Sequence, residues 1–153
     1  MKYLAAFFIA LSIFACKENK SALPVNVVES EVKDFNTNNS LGAAKKTNLI
    51  DTITNEVVGE KYYHKDNSLY MDLQLKDGKR VGEAKAFFAN GKMQSLHHYK
   101  EGILHGEYKV WYENGNLRID GQYSEGAEAG IWKLYDENGK LIENRDFDKN
   151  PLK

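Results

Sequence analysis

Four histidines, one cysteine and a scatter of carboxylates are the side chains of this 153-residue chain that could do chemistry. His97 and His98 are adjacent in a stretch that reads as a strand, so they point to opposite faces and cannot close on one metal ion. His64 and His105 lie elsewhere, and a metal site needs converging ligands with an ordered second shell. Glu83 and Glu107 stand 24 residues apart, but Ile131 takes the third equivalent position, so no catalytic carboxylate pair is fixed. There is no Gly-x-Ser-x-Gly, no phosphate-cradling loop and no dinucleotide fingerprint. The expectation is a protein without enzyme activity, metal or cofactor. Cys16 is the only thiol, which excludes an intramolecular disulfide.

The chemistry left to Cys16 is set by what precedes it. "MKYLAAFFIALSIFA" carries one lysine and then an apolar run ending in a small residue, which reads as a signal peptide over residues 1–15, too short to span as a helix. Ile13-Phe14-Ala15-Cys16 resembles a bacterial lipobox, with Phe14 bulkier than the small residue usual there. The resemblance implies that Cys16 becomes the acylated first residue of the mature chain. Two or three acyl chains on one residue hold a protein durably on a membrane. Lys17 is not the Asp that retains enteric lipoproteins at the inner membrane, so the expected address is the cell envelope, at the outer membrane. Without Lys2 the mature chain has 20 basic against 22 acidic residues, near minus two, which implies no nucleic-acid partner. Residues 16–50, rich in Lys, Asn, Ser and Glu, read as a flexible tether with one short strand at Pro24 to Val28.

The elements that would position any site announce themselves through a period of 24. Gly78, Gly102 and Gly126 align at that shift, as do Gly82, Gly106 and Gly130. So do the pairs Asn90-Gly91, Asn114-Gly115 and Asn138-Gly139. One such glycine column arises by accident about half a percent of the time, so three together mark a true repeat. Asn-Gly is the dipeptide that most readily forms a two-residue type I′ hairpin turn. With that loop Phe88 opposes Met93, Ala86 opposes Ser95 and Ala84 opposes His97. The second unit gathers Tyr108, Val110, Tyr112, Leu117, Ile119 and Tyr123 on one face, and the third gathers Trp132, Leu134, Leu141 and Phe147. The paired glycines four apart in "YKEGILHG" and "YSEGAEAG" permit a turn and a close backbone approach between units. Upstream, "VVGEKYYHKDNSLYMDLQL" reads as a decayed earlier unit over residues 51–74, with Asp66-Asn67 in place of Asn-Gly. Residues 148–153 form a charged tail with Pro151, which discourages pairing at that edge.

Phe87, Trp111 and Tyr135 make a column that is aromatic in every unit, yet strict alternation sends them to the face opposite Ala86, Val110 and Leu134. Two accounts stay open. A longer loop or a bulge would let both neighbours tuck into the core, or the three rings form a ladder on the second face and offer a binding surface for a peptide or glycan.

The unit Tyr-x-x-Gly-x-x-x-Gly-x-x-x-x-aromatic-x-x-Asn-Gly-x-Leu, best seen in "YKEGILHGEYKVWYENGNL" and "YSEGAEAGIWKLYDENGKL", resembles the variant MORN repeat. That repeat occurs in bacterial envelope proteins and in proteins labelled YwqK-family antitoxins. The resemblance covers three repeats over residues 75–147. It implies an all-β, elongated and twisted antiparallel sheet of hairpins that binds or scaffolds and catalyses nothing. In the first unit Ala84 stands where Tyr108 and Trp132 stand, which predicts looser packing there. The functional expectation is a lipid-anchored envelope module that binds another envelope protein or a glycan; the alternative is an antitoxin or immunity protein that neutralises a toxin.

Overall fold

A period of 24 with glycines at fixed offsets folds as a meander, because each hairpin returns the chain to the edge it left. The computed structural model describes residue 24, residues 26–37 and residues 41–149. The expected signal peptide, Cys16 and the tail beyond residue 149 lie outside the described residues. The strands are β1 (Val27–Glu31), β2 (Lys45–Asp51), β3 (Val57–Tyr63), β4 (Leu69–Lys76) and β5 (Lys79–Phe87), followed by β6 (Met93–Lys100), β7 (Ile103–Trp111), β8 (Leu117–Ser124), β9 (Ala127–Tyr135) and β10 (Leu141–Asp146). They form one open antiparallel sheet in strictly sequential order, about 43 Å across at the usual strand spacing. No helix occurs among the described residues.

The tether expected over residues 16–50 is corrected, since β1 and all but the last residue of β2 lie inside it and add two strands to the array. The expected short strand sits at Val27–Glu31. Composition misled because a polar strand can add to an existing edge through backbone hydrogen bonds without burying much apolar surface. Glu29 anchors it: the carboxylate accepts from the Thr47 hydroxyl at 2.6 Å and from the Tyr63 hydroxyl, and lies 3.6 Å from the Lys61 ammonium. Burial alone would raise its pKa, but these bonds pull the carboxyl below its ordinary range.

The turn chemistry is the reverse of the expected one. Type I′ geometry belongs to the connections between units, where Asp77-Gly78, Glu101-Gly102 and Glu125-Gly126 all have positive φ. At the Asn-Gly pairs only the glycine does, Gly91 at 81°. Phe88 N–H donates to Lys92 O and Gly91 N–H to Phe88 O, both at 2.9 Å, which makes a three-residue loop with a left-handed glycine. The reason is the Asn90 side chain, whose Oδ1 accepts from Lys92 N–H at 3.0 Å and holds a local turn. Asn114 does the same for Asn116 N–H. The decayed unit makes this hairpin too. His64 N–H donates to Ser68 O at 2.9 Å, and Asn67, at φ 65°, replaces the glycine. A fourth hairpin thus continues the array.

Glu101 is held at φ 51° with no compensating glycine freedom. Glu101→Asn should stabilise the protein by about 0.5–1 kcal/mol, since Asn tolerates that conformation; an unchanged or lowered urea midpoint would contradict this.

One face carries the rings. His97 stacks on Tyr108 with centroids 4.5 Å apart and planes 5° apart. Tyr108 also meets Tyr123 and Trp132, and Trp132 meets Phe147 edge-on at 6.0 Å. Trp132 and Phe147 are 6% and 7% exposed. At the other end of this face Ala43, from the connection between β1 and β2, joins Tyr62, Leu73 and Ala84 in a buried cluster, with Phe35 edge-on to Tyr62 at 5.9 Å. Register explains the sizes: Leu73 opposes Ala84, and His97 opposes Tyr108. Gly121 opposes Tyr108 on its other side and carries the indole of Trp132. The first unit is therefore not simply loose: Leu73, at 1% exposure, fills part of the space that Ala84 leaves.

Burial, and then the charge of Arg80, hold the His97 imidazole below its ordinary pKa of 6.5. The folded state then binds fewer protons than the unfolded one just below pH 6.5. Stability should be full above that pH and fall as pH drops toward the folded value. His97→Phe should flatten the dependence; an identical slope in both proteins would assign it elsewhere.

Candidate functional site: the second face

The opposite face is built from three columns that run across the strands. In β5, β7 and β9 alternation points Phe87, Trp111 and Tyr135 away from Ala86, Val110 and Leu134. In an antiparallel pair opposed residues share a face, and the register pairs Phe87 with Met93, Trp111 with Leu117 and Tyr135 with Leu141. Tyr63 and Leu69 form the same pair in the fourth hairpin. Each pair follows a one-residue register shift.

That shift corrects three placements. Met93 opposes Phe87 rather than Phe88, which instead closes the turn with Lys92. Leu117 and Leu141 leave the ring-bearing face and join the aromatic column. The extra residue goes the other way: Arg118 lies over the Tyr112 ring, its guanidinium carbon 5.6 Å from the centroid. The longer loop and the bulge are both real, but they carry aliphatic partners to the rings and do not fold the rings into the core. Phe87, Trp111 and Tyr135 are half-buried.

Two residues back on each strand, and so on the same face, stand Lys61, Lys85, Lys109 and Lys133. This lysine column has the same 24-residue period as the glycines and aromatics, a signal present in the sequence. Asp72 is paired with both Lys61 and Lys85, and Asp120 with both Lys109 and Lys133. Burial raises the Asp72 pKa, while both lysines oppose the shift. Lys85 bonds Glu83 at 2.5 Å and Lys109 bonds Glu107. The hydrogen bond from Lys85 lowers the Glu83 pKa, and the one to Glu107 raises that of Lys109. The glutamates at equivalent positions are thus rungs of an ion-pair ladder, and lysines and acids balance along the face. An open groove of about 380 Å³ runs beside it, lined by Glu107, Asp120, Gln122, Ile131 and Lys133 and floored by the backbone of Gly121.

The histidines do not converge. His97 belongs to the ring stack, and His98 lies on the second face with Nδ1 3.2 Å from Glu107 O. His64 Nε2 lies 3.0 Å from Phe87 O, tying one hairpin tip to the next. The Tyr112 hydroxyl donates to Tyr135 O at 2.9 Å in the same manner, two hairpins further along. His105 lies at the far side, its Nδ1 accepting from Glu125 N–H at 3.3 Å. Gly78, Gly102 and Gly126, like Gly82, Gly106 and Gly130, all have positive φ. Gly102 N–H donates to Arg80 O and Gly126 N–H to Leu104 O, both at 2.8 Å, tying each turn to the preceding unit. A Cβ on Gly130 would lie 2.5 Å from the Gln122 side chain, the close approach that the second column requires.

Residues 80–101, 104–125 and 129–149 each match the family model described as MORN repeat variant. The chain carries three variant MORN repeats. Each match begins in the first strand of a hairpin (β5, β7 or β9) and runs through its Asn-Gly tip and return strand, and the first two end on Glu101 and Glu125, the acids of the turns between units. No curated protein and no solved structure matches the chain. The fourth hairpin, over Tyr63 and Leu69, has MORN geometry in a stretch outside the three matched segments. It extends the aromatic column to four MORN-like rungs, spaced about 10 Å apart at two strands per hairpin.

Proposed function

We propose that the protein is an envelope lipoprotein, anchored by acylated Cys16, whose MORN array is a non-enzymatic module that binds another envelope protein or a glycan through its second face. The observation that supports this most is the repetition of one aromatic and one aliphatic side chain at the same register position in four successive hairpins. Fold maintenance does not require it, because the rings that pack the sheet together lie on the other face. Aromatic columns with charged neighbours suit partners that present apolar ridges or sugar faces at a regular interval. The balanced lysine and acid ladder favours an uncharged or mixed-charge partner over a polyanion.

A photo-crosslinking residue placed at Trp111 or Tyr135 in intact cells is expected to trap a discrete partner, while the same residue at exposed Ile53 traps none. Equal yields at all three positions would sink the reading of the second face. Cys16→Ser should move the chain out of the membrane fraction and remove its acyl mass; a variant still bound and unshifted in mass would sink the anchor.

A further inference from the structure

The ring-bearing face has a gap where the first matched unit departs from the others. Ala84 and Ala86 stand where the next units have Tyr108 with Val110 and Trp132 with Leu134, and the missing volume is an open cavity of about 160 Å³. That is room for about five water molecules. Ser95, His97 and Tyr99 wall it from β6, and Arg80 stands at its mouth. All lie on the ring-bearing face by register, and the Lys85 ammonium is turned away to Glu83.

Three features give this cavity a chemical preference. The Nε2 of His97 is buried with no hydrogen-bond partner among the described residues, so a polar atom at the cavity wall is left unsatisfied. Arg80 pairs with no carboxylate among the described residues. Its guanidinium lies 5.5 Å over the Tyr99 ring and reaches the Tyr99 hydroxyl only at 3.4 Å. No acidic side chain lines the cavity, although every lysine of the second-face column has an acid beside it or opposite it.

We propose that this cavity is a binding site for one carboxylate carried on a short apolar stem. The carboxylate sits against the Arg80 guanidinium and accepts from the Tyr99 hydroxyl and from His97 in the tautomer protonated at Nε2. The stem rests on Ala84 and Ala86. Guanidinium and carboxylate match in shape as well as charge. The same chemistry is offered by a free small carboxylic acid and by the C-terminus of a peptide.

The test is a titration of the full chain with propionate, with N-acetyl-dialanine and with the C-terminal amide of that peptide, read by NMR of the four histidine rings. Propionate or the peptide acid is expected to shift His97 saturably while His64, His98 and His105 stay in place, and the amide is expected to do nothing. A peptide acid that binds tighter than propionate identifies a C-terminus as the natural ligand; propionate alone identifies a free acid. Arg80→Gln, at an exposed position that leaves the core intact, should weaken binding at least tenfold, and Ala84→Leu should abolish it by filling the cavity. No saturable shift at His97, equal shifts at all four histidines, or full affinity in Arg80→Gln would overturn the proposal.

Discussion

Gly121→Val is expected to lower stability by about 3 kcal/mol, a large share of what holds a small domain together. A Cβ at this position would lie 2.4 Å from Cδ2, 2.6 Å from Cε2 and 2.8 Å from Cε3 of the Trp132 indole. Gly121 is not among the positive-φ residues, so the backbone there would accept a side chain. The obstacle is steric: the ring cannot back away, because Tyr108, Tyr123 and Phe147 surround it and its Nε1–H donates to Gln122 O at 3.1 Å. Trp132→Leu in the Gly121→Val background should recover at least half of the loss, a coupling that a double-mutant cycle measures. A urea midpoint for Gly121→Val that matches the parent's would show that the indole is not fixed there.

The two tryptophans should behave as opposites, since the chain has only these two and each reports on one face. Trp132→Ala removes a buried ring from the centre of the stack and should cost about 3–4 kcal/mol. Trp111→Ala removes a half-buried ring on the second face and should cost about 1 kcal/mol, while the array keeps its cooperativity. In single-tryptophan proteins, emission from Trp132 should be blue-shifted and resistant to quenching by iodide, and emission from Trp111 should be quenched. Partner capture should quench or shift Trp111 and leave Trp132 unmoved. Equal stability losses for the two alanine variants would remove the physical distinction between the faces.

How much of this was legible depended on whether a residue's reason lay within its own unit. The 24-residue columns revealed the hairpins and the meander, and left open which face the aromatic column of Phe87, Trp111 and Tyr135 takes. Asn90-Gly91 looked like a type I′ turn because its dipeptide preference is strong; the Asn side chain, by accepting from Lys92 N–H, keeps the asparagine out of positive φ and lengthens the loop. That single added residue sends Leu117 and Leu141 to the other face, where alternation could not follow them. β1 was expected three residues early and not as part of the array, because it holds to the sheet through Glu29 and backbone bonds, with no apolar pattern to mark its partner. Gly121 belongs to no glycine column, and its identity is set by Trp132 on the neighbouring strand. The cavity beside His97 was half visible, as the anomaly at Ala84, but a small residue alone does not say whether its neighbour expands to fill the space.

The strictly sequential strand order has a kinetic meaning. Since every strand pairs through its backbone only with the ones before and after it, the sequence separation between ladder partners never exceeds one hairpin, however many rungs the array holds. Such a chain folds like a zipper: any rung can nucleate, growth adds nearest neighbours, and the rate is set by local loop closure and not by total length. Duplicating or deleting one 24-residue rung in the interior should therefore change stability by one increment and leave the folding rate nearly constant, a freedom that a barrel or a sandwich, with edges that must meet, does not have.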